Sequence, residues 1–210
     1  MNTKIHTSKK EIALGVSGHR WIMETPELLD AVDEVIQRIH HVYSISILKV
    51  ISPLAEGADR IVAKQSLDLP NACLVALLPF PEKEYLKDFS TLESVKEFQE
   101  LYHQAKQTIE LPGSSDREEA YLALGKTLLD HCEILITIWD GRPANGRGGT
   151  AEIVQEARKR GLPVAWIHVE KPKVAERDLA LPKEDHVKVV FERFPSPTSP
   201  GNPEKESEIT

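Results

Sequence analysis

Residues 133–152 read EILITIWDGRPANGRGGTAE, and the order of features in this stretch decides the fold. Residues 133–139 form a continuous apolar run, the pattern of a strand covered on both faces of a parallel sheet. Residues 140–150 then form a loop with four glycines, Gly141, Gly146, Gly148 and Gly149. Residues 151–160 read as a helix, and Gly161 stands where a helix ends on a left-handed residue. Strand, glycine loop and helix in succession make half of a βαβ unit.

The same alternation extends in both directions. Upstream, residues 11–17 (EIALGVS) are a short apolar strand that ends at Gly18-His19-Arg20. A helix over 24–41 follows, with Leu28, Leu29, Val32, Val35, Ile36 and Ile39 on one stripe and Thr25-Pro26 as cap and first-turn proline. Residues 44–51 (SISILKVI) are a β-branched second strand, and a helix opens at 55–60 and runs to about Leu69. Residues 72–78 are a third strand. A charged helical stretch comes next, with Leu92, Val95, Gln99, Tyr102 and Ala105 marking one face, then an extended piece at 108–111. A helix over 116–132 faces inward through Tyr121, Leu124 and Leu128. Downstream, 162–169 is a further buried strand and 186–194 an edge strand. Strands separated by helices of ten or more residues predict a doubly wound α/β fold, with a mostly parallel sheet between two helical layers.

The chain has 210 residues, a single-domain length, and 40% apolar residues, which suffice for a core. The domain is expected over 11–194. Residues 195–210, PSPTSPGNPEKESEIT, hold four prolines and read as a disordered tail. A net charge of −7 argues against a nucleic-acid partner, because coating a polyanion requires many cations. Most of that acidity lies at 82–133, which carries twelve acids and six bases. No apolar run approaches membrane-spanning length and no signal-peptide core is present, so the expectation is a cytoplasmic protein without a membrane partner. Cys73 and Cys132 fit no disulfide framework or metal spacing, and the eight histidines show no HExxH pattern.

In a doubly wound sheet, ligands bind beyond the carboxyl ends of the strands, where strand order reverses. That rule nominates three loops. The first carries Ser17, Gly18, His19 and Arg20, which offer a hydroxyl, backbone N–H groups and a guanidinium. The second carries Glu56, Gly57, Asp59 and Arg60, where Asp59 and Arg60 either pair with each other at a helix start or face a ligand. The third carries Asp140, Arg142, Arg147, Gly148, Gly149 and Thr150. Its glycines permit close backbone approach, and the helix amino end that follows favours a phosphate. Trp21 and Trp139 are candidates to stack on a base, with core packing the alternative for Trp139. Glu152, in the first turn of that helix, is the candidate catalytic carboxylate for N-glycosidic cleavage; otherwise it offsets the helix dipole. Two standard labels fail. Arg147 and Gly148 replace the Lys and Ser/Thr of a Walker A loop, and no GxGxxG follows the first strand.

Taken together, GVSGHR (15–20), SPLAEGADR (52–60), LPFP (78–81) and GRGGTAE (146–152) resemble the SLOG superfamily. That superfamily includes the Rossmann-like domain of the DNA-processing protein, the cytokinin-activating phosphoribohydrolases and nucleotide-sensing domains of bacterial defence systems. The resemblance implies a Rossmann-like fold that binds a nucleotide or nucleotide-derived ligand of the AMP, NAD or ADP-ribose type. It also implies that the first and last glycine loops hold phosphate. The phosphoribohydrolase branch carries PGGxGTxxE, whereas here Glu152 follows Thr150 by two positions. The leading expectation is therefore a ligand-binding or sensing domain with a nucleotide-derived small molecule as partner. A nucleotide N-glycosidase using Glu152 and a non-catalytic interaction scaffold are the alternatives, and assembly with further copies of the chain stays open.

Overall fold

The computed structural model describes residues 10–143, 148–170 and 187–195. The expected tail therefore falls, from residue 196 onward, outside the described residues. Seven strands are joined in the order β1 (Glu11–Gly18), α1 (Pro26–Tyr43), β2 (Ile47–Ser52), α2 (Ala58–Leu67), β3 (Ala72–Leu78), α3 (Glu82–Tyr85), a 3-10 turn (Leu86–Asp88), α4 (Leu92–Gln104), β4 (Gln107–Glu110), α5 (Arg117–His131), β5 (Ile134–Trp139), α6 (Thr150–Arg160), β6 (Val164–His168) and β7 (Lys188–Glu192). They form one sheet in the order β4-β3-β2-β1-β5-β6-β7. Every neighbouring pair is parallel except β6 and β7. This is a doubly wound, Rossmann-like α/β fold.

Strand periodicity of two divides the core between the faces. Leu14 and Val16 of β1, Leu48 and Val50 of β2, Leu74 and Ala76 of β3, and Ile134, Ile136 and Ile138 of β5 pack into one layer with α1, α2 and α4. Ile51, Val75, Leu77 and Leu135 face the other way, toward α5 and α6. On that second face β1 offers Ala13, Gly15 and Ser17 beyond Glu11. A Cβ on Gly15 would lie 2.8 Å from the Cys132 sulfur, so α5 rests almost directly on the strand.

Thr25 caps α1 by accepting from the Leu28 N–H at 3.3 Å, and Pro26 opens the helix as expected. Its stripe buries Leu28, Val32, Val35, Ile36 and Ile39, while Leu29 is only half-buried. Each such burial contributes roughly 1.5–3 kcal/mol.

The structure departs from the sequence expectation in three places. β2 begins at Ile47 because α1 runs on to Tyr43 and stops at Ser44, whose φ of 49° ends the helix. The charged stretch before β4 is not one helix, since the chain turns extended at Phe89 and restarts where Thr91 accepts from the Ser94 N–H at 3.0 Å. The face assigned to α4 is also rotated. Phe98 and Leu101 are its buried residues, and Leu92 is 84% exposed. The cause is an aromatic cluster that the periodicity does not reveal, in which Tyr85 and Phe89 pack on Phe98 with ring centroids 5.7 and 5.1 Å away.

Candidate functional site

From β1 the chain winds outward through β2, β3 and β4, then returns to place β5 on the other side of β1. The loops after β1 and β5 therefore diverge, and the crevice between them is the place where such sheets bind ligands. A cleft of about 600 Å³ occupies it.

The first loop is held tightly to its neighbours. A Cβ on Gly18 would lie 2.4 Å from the Ala58 Cβ and 2.6 Å from the Ile138 carbonyl oxygen, so only glycine fits. The His19 N–H donates to the Ile138 carbonyl at 3.0 Å, and the His19 carbonyl accepts from the Ala58 N–H at 3.1 Å. The His19 Nε2 lies 3.0 Å from the Asp140 carboxylate, which ties the loops after β1 and β5 together. Arg20 donates to the Tyr121 hydroxyl at 2.7 Å and lies over its ring, 5.2 Å from the centroid. It stands 3.9 Å from the Glu56 carboxylate.

The second loop passes beneath the first. Gly57 has φ +77°, and a Cβ there would lie 2.3 and 2.4 Å from the carbonyl oxygens of Arg20 and His19. Glu56 accepts from the Ser94 hydroxyl at 2.8 Å. Asp59 and Arg60, adjacent in sequence, go to different places. Asp59 lines the cleft, and its Oδ2 accepts from the Ala55 N–H at 3.3 Å. Arg60 is 1% exposed; it donates to the Leu54 carbonyl at 2.9 Å and reaches Glu97 at 2.6 Å. It fastens α2 to α4 and does not line the cleft, nor do Glu56 and Gly57. Burial pushes the Asp59 carboxyl up to about 7, against the pull of Arg20, the Ala55 N–H and Arg60.

In the third loop, Asp140 accepts from the Arg142 N–H at 3.1 Å, and Trp139 donates from Nε1 to the Arg142 carbonyl at 3.1 Å. Trp139 also lies tilted against Trp166 with centroids 5.5 Å apart, so it packs in the sheet layer while lining the cleft. Trp21 is 74% exposed and is not part of the cleft wall. Gly148 has φ +74°, and a Cβ there would come 2.7 Å from the backbone nitrogen of Leu122. Glycine is thus what lets the start of α6 lie against α5. Gly148, Gly149 and Thr150 line the cleft with Asp140 and Arg142, while Arg147 lies outside the described residues.

Glu152 reaches back along its own helix to accept from the Gly148 N–H at 2.7 Å. Gly148 precedes the helix's N-cap residue, Gly149, so the carboxylate folds back over the start of α6, and the side chain is not in the cleft wall.

Helix starts differ around the cleft. Thr25, Thr91 and Asp116 cap α1, α4 and α5 with side-chain oxygens. The helices that follow the loops after β2 and β5, α2 and α6, instead begin at Gly57 and Gly149 with no side-chain cap. Among the described residues the Thr150 and Ala151 N–H groups of α6 have no acceptor. The Glu152 N–H, by contrast, donates to the Gly149 carbonyl at 3.0 Å and, in α2, the Ala58 N–H donates to the His19 carbonyl at 3.1 Å.

Sequence reasoning did not nominate the far wall. Tyr85, Arg117, Glu118 and Tyr121 all line the cleft. The Tyr121 hydroxyl donates to Asp88, which also pairs with Arg117, and Arg117 reaches Glu84 at 3.0 Å. Burial and the nearby Asp88 raise the Tyr121 phenol well above its ordinary range, so it stays protonated. No spacing announces these residues. Tyr85 comes from α3, while Arg117, Glu118 and Tyr121 come from α5, which Gly125 lets pack closely against Ile153 of α6.

Among the described residues, no group of His, Cys, Asp and Glu is arranged to hold a metal ion, and no helix is long and apolar enough to cross a membrane. No protein-family model matches the chain, and no curated protein matches it. Among solved structures it is similar to the X-ray structure of TM1055, a structural-genomics target, at 15% identity. The match covers 73% of this chain and 72% of that one, with a TM-score of 0.45.

Proposed function

We propose that this protein binds a nucleotide or nucleotide-derived small molecule in the cleft between β1 and β5, as a SLOG-type binding or sensing domain. The observation that carries the reading is the uncapped amino end of α6, whose Gly148, Gly149 and Thr150 line the cleft that Arg20 also borders. First-turn N–H groups and the positive end of a helix dipole suit a phosphate. Arg20 gives one N–H to a neutral phenol and stands 3.9 Å from Glu56, so it has donors left for an anion. A cleft of about 600 Å³ accommodates a nucleotide-sized ligand. Binding is preferred over N-glycosidic hydrolysis because Glu152 is engaged at Gly148 and is not part of the cleft wall.

Thermal unfolding with AMP, NAD, ADP-ribose and cyclic AMP tests the reading. A ligand at about one hundred times its Kd raises Tm by roughly 5–10 °C for a chain of this size. Gly149→Asp, which sets a carboxylate at the phosphate position, abolishes that shift. A well-folded protein that none of the four nucleotides stabilises would overturn the proposal.

A further inference from the structure

Among the described residues the large apolar side chains left exposed are Trp21, Met23 and Leu92, at 74, 71 and 84%. Apolar residues scattered singly over a surface need no explanation. These three are not scattered. Trp21 and Met23 stand between β1 and α1, and Leu92 opens α4. Both ends of the 20–24 segment are linked to α4 across the amino half of α2. Arg20 stands 3.9 Å from Glu56, which accepts from the Ser94 hydroxyl at 2.8 Å. Lys64 of α2 lies 3.8 Å from Glu24 and also pairs with Glu97 of α4. One face therefore carries all three side chains, two on one flank of α2 and one on the other.

The backbone beneath these side chains is fixed. Ile22, between Trp21 and Met23, packs against the core, and Gly57 lets the second loop press on the Arg20 carbonyl. Thr91 caps the turn of α4 that displays Leu92. Apolar anchors on a fixed backbone lose little conformational freedom when a partner covers them.

Charge decides what covers them. The cations of α2 and α4 on this face are already paired, Lys64 with Glu24 and Glu97, Arg60 with Glu97, and Lys96 with Glu100 at 3.7 Å. Glu27 and Glu93, in the first turns of α1 and α4, are exposed and have no ion pair among the described residues. The complementary surface is therefore positive. A second copy of the chain does not supply it. A two-fold contact brings a patch against itself, which sets these acids against like charges in a chain of net charge −7.

We infer that the face carrying Trp21, Met23 and Leu92 docks a basic, amphipathic segment of a partner protein. Its apolar side chains cover the three anchors, and its Lys or Arg groups meet Glu27 and Glu93. Tryptophan is the residue type that most often carries the energy of such a contact. The inference does not depend on what fills the cleft.

Titration calorimetry of the full chain with two synthetic helical peptides of about fifteen residues tests it. One peptide is built from leucine, alanine and lysine, and the other has glutamate in place of each lysine. The lysine peptide should bind at least about tenfold more tightly than the glutamate peptide. It should lose at least about tenfold in affinity when Trp21→Ser and Leu92→Ser are combined. Combining Glu27→Lys with Glu93→Lys should weaken it by a similar factor and flatten its salt dependence. All four positions are exposed, and the Tm of each variant checks its folding. Hydrogen exchange on the wild type locates the contact without any variant, since the lysine peptide should slow exchange at 20–27 and 91–97. Absence of binding, equal binding of the two peptides, wild-type affinity in the serine variant, or protection confined to other segments overturns the inference. A concentration-dependent dimer in light scattering that the serine variant lacks also overturns it, by giving the face to a second copy.

Discussion

Replacing Asp59 by asparagine should make the protein more stable at alkaline pH, with a gain that grows as pH rises. The carboxyl has an ordinary value of 3.8 and stands at about 7 in the fold, where it is 6% exposed. A carboxyl raised on folding contributes stability that is fully present below 3.8 and is lost as pH rises through the folded value. At about 1.36 kcal/mol per pH unit, the loss over the whole window is about 4 kcal/mol. Between pH 5 and pH 8 it is about 3 kcal/mol. Asparagine does not titrate, keeps the acceptor for Ala55 and leaves the His19–Asp140 pair in place. The difference between the two proteins therefore isolates Asp59. Urea unfolding followed by tryptophan fluorescence at half-unit steps from pH 5 to 8.5 gives that difference directly. The stability of Asp59→Asn minus that of the wild type should rise by about 3 kcal/mol across the range. A flat or falling difference refutes the reasoning, because the carboxyl would then titrate in the fold as it does in the open chain. A destabilising ionisable group at a cleft is expected where function rather than stability sets the residue.

Other perturbations follow from the same geometry. Gly57→Ala places a Cβ 2.3 Å from the Arg20 carbonyl oxygen at φ +77°, and should cost about 2–4 kcal/mol by strain and displaced backbone; an unchanged Tm would contradict the packing of the first two loops. Tyr121→Phe removes the hydroxyl between Arg20 and Asp88 and should cost about 1–3 kcal/mol, whereas a stability equal to wild type would show the link to be idle. Glu152→Gln still offers an oxygen to the Gly148 N–H, while Glu152→Ala does not. Nucleotide affinity should thus fall about tenfold in the alanine variant and less than threefold in the glutamine one, and equal losses in calorimetry would argue for a direct ligand contact. Burial pushes the Cys132 thiol to about 12. A thiol reagent at pH 8 should label Cys73 first and reach Cys132 only on unfolding, as mapped by peptide mass spectrometry.

Strand and helix positions were legible because each has a local cause. The unbroken apolar run of β5, the stripe of α1 and the cap at Thr25 follow from side chains a few residues apart. The break before α4 was not legible, since it depends on Tyr85, Phe89 and Phe98 meeting in space. Topology placed the loops after β1, β2 and β5 at one edge, and their glycines marked where backbones must touch. Gly18, Gly57 and Gly148 each meet a neighbouring backbone or side chain that would collide with a Cβ.

The function of each charge in those loops lay beyond the sequence. Local sequence fixes that Asp59 and Arg60 open a helix, but consecutive helical residues point about 100° apart. Only the positions of α4 and α5 decide that Asp59 lines the cleft while Arg60 is buried against Glu97. Glu152 likewise sits in the right turn of the right helix, yet its carboxylate is used by the Gly148 N–H. Tyr121, which reads as an inward-facing helix residue, lines the cleft with Arg117 where Gly125 lets α5 pack on α6. Sequence patterns record what neighbours along the chain require of one another, and the partner of a charged group is set by packing between elements far apart in it.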